Sequence, residues 1–118
     1  MKNANYYVIP GIKPMYRNIK ASVIETETII KVVCEYFNIT LEKLKKQNRY
    51  SDVVFARSML IYFLFKYTTM SKSEIARMLN KDHTSIIHNL RSFQDRIDTE
   101  EAVVSKIDEI RTKIVNQY

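Results

Sequence analysis

The sequence predicts an all-α protein, a compact bundle of about six helices, and three observations carry that expectation. Its 118 residues contain one glycine and two prolines, too few for the many tight turns of an all-β fold. Apolar residues recur at three- and four-residue spacing along most of the chain. Helix-start signals precede several of these stretches.

The elements follow in order. Residues 1–21 have no clear period; Pro10-Gly11 gives a turn signal and Pro14 a break, so this segment reads as an arm preceding a helical domain at 22–118. Ser22 to Glu25 has the form of a capping box, and Ile29 or Ile30, Val33, Tyr36 and Phe37 then line one face. Thr40 can cap a short helix through Lys46, with Leu41 and Leu44 inward. Gln47 to Asp52 is polar and basic, most simply a loop. Val53 to Tyr67 is apolar nearly all round; a buried strand competes, but length and the lack of turn signals favour a central helix.

Ser71 to Glu74 forms a second capping box, followed by Ile75, Met78 and Leu79. Asn80-Lys81 is the only break before Asp82, which can cap the next helix, and asparagine tolerates the left-handed conformation a tight turn needs. Ile86, Leu90, Phe93 and Ile97 form that helix's inner stripe, with Thr84, His88 and Arg91 opposite. Asp98 to Glu101 reads as the cap of a last helix, whose Val103, Ile107, Ile110 and Ile114 make an apolar seam. The seam covers fewer than three heptads, which favours packing on the bundle over a coiled-coil dimer.

Composition excludes several functions. A phosphate-binding P-loop needs two glycines and a dinucleotide fingerprint three, and Gly11 stands alone. Cys34 can form no internal disulfide or zinc-finger pair, which fits a reducing, cytoplasmic setting. The longest uncharged run in the most apolar stretch, Ser58 to Phe65, is eight residues, far short of the roughly 20 that span a bilayer. The first residues do not read as a signal peptide. No nucleophile–base pair or paired carboxylates suggest catalysis, and His83 and His88 do not share a helical face, so no metal, cofactor or small-molecule substrate is expected.

Charge is informative by its distribution. The formal net charge is +6. Residues 21–42 hold one base and four acids, 43–57 hold five bases and one acid, 66–96 hold six bases and three acids, and 97–118 hold three bases and five acids. A basic middle between acidic segments suits a binder of phosphate backbone, although a solvated lysine face is the commoner origin of such a pattern taken alone.

Two short helices joined by a two-residue break resemble a helix-turn-helix. The front of the second, Lys81-Asp82-His83-Thr84-Ser85 with His88 a turn later, offers donors, acceptors and a methyl group, the chemistry that reads base edges in a major groove. Asp82 serves first as an N-cap, and His83 fits either a half-buried structural histidine or a reader on a protruding helix end.

Lys81 to His88 resembles the signature Arg-Asp-His-Thr-Thr-Val-x-His of the C-terminal DNA-binding domain of the bacterial replication initiator DnaA. The similarity runs from about Ile24 to Val115 and includes the short helix before the basic loop, Arg57 just ahead of the most apolar stretch of the central helix, and Ser71 to Ile75 before the turn. It implies a Trp-repressor-like or DnaA C-terminal-like fold that binds double-stranded DNA at sites like the DnaA box, in replication initiation or its regulation, with replication proteins as further partners. Asp82, His83, Thr84 and Ser85 would read bases. Lys43, Lys45, Lys46, Arg49, Arg57, Lys81, His88 and Arg91 would bind phosphate. Lys81 replaces the family's arginine, Asn80 replaces its Gly-Gly in a shorter turn, and Phe55 stands where an arginine commonly enters the minor groove, a role that Arg49 or Arg17 could take. The initiator's ATPase module has no counterpart in this sequence. The alternatives are a helical adaptor that has lost DNA binding and a phage DNA-packaging subunit.

Overall fold

The computed structural model describes residues 24–46 and 49–117. It contains α1 (Thr26–Phe37), α2 (Leu41–Lys45), α3 (Ser51–Tyr67), α4 (Lys72–Leu79), α5 (His83–Thr99) and α6 (Glu101–Val115), with no strand among the described residues. The expected turn at Pro10-Gly11 and the arm lie outside the described residues, as do Arg17, Ser22 and Gln47.

The apolar stretch from Val53 is a helix, begun two residues earlier at Ser51 and running through the middle of the molecule. Its Ala56, Met59, Leu60, Ile61, Phe63 and Leu64 are fully buried, because α1, α2, α4 and α5 all pack against it. A helix covered on most sides has no polar stripe to keep, which explains its nearly continuous hydrophobicity. The α6 seam of Val103, Ile107, Ile110 and Ile114 is buried against α1 and α5, as bundle packing requires.

Helix starts follow local chemistry at α2 and α4 and depart from it elsewhere. Thr40 caps α2 by accepting from the Lys43 amide, and Ser71 and Glu74 form the full reciprocal capping box of α4. At the start of α1, however, Glu25 occupies the cap position and makes no side-chain cap bond, so the helix starts too late for Ser22 to cap it. Asp98 likewise does not cap α6. It lies inside the last turns of α5 and accepts from Gln94, while Glu100 alone separates the two helices. Among the described residues, the two non-glycine residues with left-handed backbone are asparagines that end helices, Asn38 after α1 and Asn80 after α4. After each, the next amide reaches back to close the helix, Ile39 to the Cys34 carbonyl and Lys81 to the Ala76 carbonyl.

Candidate nucleic-acid interface

The helix-turn-helix is α4, the turn Asn80 to Asp82, and α5. Asn80 adopts φ 59° and ψ 42°, which reverses the chain in a short space without the paired glycines of the family pattern. Asp82 stands at the N-cap of α5 with extended backbone, but its carboxylate makes no capping bond. The expected cap is therefore not formed, and the carboxylate is exposed.

His83 and Thr84 are exposed beside it, so the half-buried structural reading of His83 does not hold. Ser85 is half-buried. Behind them Ile86 and Phe93 are buried, which fixes the rotation of α5 and presents Thr84, His88 and Arg91 outward along one side. Sequence reasoning missed a second fixing contact: the Ser58 hydroxyl donates to Asn89 Oδ1 at 2.6 Å, joining α3 to α5. Neither residue is apolar, so neither shows in a hydrophobic pattern.

Lys43 and Lys46 are exposed and Lys45 is half-buried, around the end of α2. Exposed Arg49 follows three residues later, within about 10 Å of Lys46 by chain length. The end of α2 sits directly against the helix-turn-helix turn, because Lys81 Nζ donates to the carbonyls of Lys45 at 2.8 Å and Lys46 at 3.0 Å. The end of α2 thus lies beside the turn that leads into the front of α5.

Two residues expected to bind phosphate are placed differently from the rest. Arg57 is 7% exposed, with Nε donating to the Leu44 carbonyl at 2.8 Å and Nη2 to the Lys46 carbonyl at 2.9 Å. Lys81 is half-buried with its ammonium on the two carbonyls just given. Burial lowers the pKa of both, and for Lys81 the neighbouring Arg57 charge lowers it further. An arginine or lysine signals charge in a sequence, not whether that charge is turned inward.

Phe55 is half-buried, with its ring 5.7 Å from Phe37 and 6.1 Å from Phe93. Among the described residues, no helix is long and apolar enough to cross a membrane, and no three His, Cys, Asp or Glu side chains gather to hold a metal.

Known proteins are similar to this chain. The family model described as the bacterial dnaA protein helix-turn-helix matches residues 26–92, more than half of the chain. The chromosomal replication initiator protein DnaA of Campylobacter jejuni is 30% identical over 97 residues, which are 81% of this chain and 22% of that protein. The initiator of Caldanaerobacter subterraneus is 28% identical over 95 residues, 80% of this chain and 21% of that protein. The structure of AMPPCP-bound DnaA from Aquifex aeolicus superposes with a TM-score of 0.59 at 25% identity, covering 75% of this chain and 28% of that one. The chain thus spans about a fifth of the length of the curated relatives it matches. With a family model that matches more than half of its length, the chain belongs to the family of bacterial DnaA helix-turn-helix domains.

Proposed function

We propose that this domain binds double-stranded DNA with sequence preference, at sites like the DnaA box, in replication initiation or its regulation and without ATPase activity of its own. The observation that carries the reading is the exposed front of α5 set against the basic end of α2. In this reading Asp82, His83, Thr84 and Ser85 meet base edges. An aspartate can accept from cytosine N4, a histidine can donate to purine N7 or thymine O4, and the Thr84 methyl can pack on the thymine methyl. The uncapped Asp82 carboxylate has its oxygens available for this. Lys43, Lys45, Lys46, Arg49, His88 and Arg91 grip phosphate on either side, which supplies most of the affinity and makes it fall with salt.

Phe55, where the family commonly has an arginine, is the residue that would favour a helical adaptor, and its packing between Phe37 and Phe93 supports a structural role for it instead. Titration of a labelled duplex carrying a DnaA box, and of a scrambled duplex, at two salt concentrations tests the proposal. It predicts tighter binding to the box and weakening of both at higher salt. Equal affinity for the two duplexes removes the sequence preference, and no binding even at low salt favours the adaptor.

A further inference from the structure

We infer that Arg57 and Lys81 form a two-cation clamp on the end of α2 that holds the basic segment in register with the front of α5, so that both act as positioning residues for the DNA grip rather than as phosphate ligands. The inference rests on the DNA-binding reading above. Helix α2 has only five residues, a length at which a helix does not hold itself together, and its final carbonyls have no partners within the helix. Those carbonyls are where the two cations converge. Arg57 serves Leu44 and Lys46, while Lys81 serves Lys45 and Lys46. Cationic donors at a helix C-terminus also meet its negative end.

Lys81 does more than cap α2. Its backbone amide closes α4 on the Ala76 carbonyl at 2.9 Å, and its neighbour Asp82 opens α5. One residue therefore ties the end of α2, the end of α4 and the start of α5 together. Lys43, Lys46 and Arg49 share a frame with Asp82 to Ser85 before any duplex arrives, so the cost of ordering them is met in folding and not in binding.

The test measures hydrogen exchange of the Leu44, Lys46 and Lys81 amides in the DNA-free full chain, alongside duplex affinity, for wild type, Lys81→Met and Lys81→Arg. Loss of a charged hydrogen-bond donor is expected to speed exchange at these amides by about tenfold. It should also weaken binding to box and scrambled duplexes alike, with Lys81→Arg restoring much of both. Wild-type exchange rates in Lys81→Met, together with a salt dependence reduced by about one phosphate contact, would overturn the clamp and make Lys81 a direct ligand. If the wild-type chain binds no duplex, the DNA-binding reading and the positioning role fail, while exchange in the free chain still decides whether the clamp itself exists.

Discussion

The guanidinium of Arg96 lies 4.8 Å from the centre of the Phe55 ring, and the same guanidinium forms a two-point ion pair with Glu100 through Nε and Nη2, both at 3.0 Å. The ring in turn closes the space between α1 and α5. Replacing Phe55 with arginine, the residue common in the family, would remove the ring contacts and set two guanidinium groups side by side. Phe55→Arg is expected to cost about 2 kcal/mol, less than a fully buried phenylalanine because the ring is half-buried. The check is a lower urea midpoint at an unchanged slope.

The two capping positions of the helix-turn-helix should separate stability from recognition. Ser71 caps α4 through the Glu74 amide, so Ser71→Ala should lose about 1 kcal/mol in chemical denaturation. Asp82 makes no side-chain cap bond. Asp82→Ala should therefore leave the denaturation midpoint nearly unchanged while reducing the preference for the box in duplex titrations.

All six helices were legible in the sequence: five carry an apolar period or a capping signal, and α3 shows itself by a long apolar run free of turn signals. The α6 seam and the α4 capping box were the plainest of these. The exposed front of α5 was also legible, since Ile86 and Phe93 must face inward and thereby turn Thr84 outward. What sequence could not give was the direction of individual cations. Arg57 and Lys46 are equally basic on paper, and only tertiary packing sends the first into the interior and leaves the second at the surface. The error at Asp98 has a similar origin: α5 continues through its expected cap because Ile97 still packs on the core.

The pH dependence of stability should have two limbs. Backbone and hydroxyl bonds from Ser71 hold the Glu74 carboxyl below its ordinary 4.5, and Arg96 does the same for Glu100. Their contributions are complete above pH 4.5 and are lost as pH falls through the lowered values. At the other end, burial and then the hydrogen bond and charge of Glu109 push the Tyr36 phenol from 10.0 up to about 12. Its contribution is complete below pH 10 and is lost as pH rises toward 12. Denaturation midpoints across pH check both limbs, and Tyr36→Phe should flatten the alkaline one.

Exposed Lys46 should behave as a phosphate contact. Lys46→Ala is expected to weaken box and scrambled duplexes by the same factor and to reduce the salt slope by about one. A slope equal to that of wild type would remove Lys46 from the grip.

The most direct measurement is selection of bound sites from a pool of random duplexes by the wild-type chain and by Thr84→Ala. Recognition through the front of α5 predicts that the wild type enriches a short asymmetric site like the DnaA box, and that Thr84→Ala retains DNA but loses selectivity at one or two positions within the site. Enrichment of no common site, or of the same site undiminished by Thr84→Ala, would contradict it.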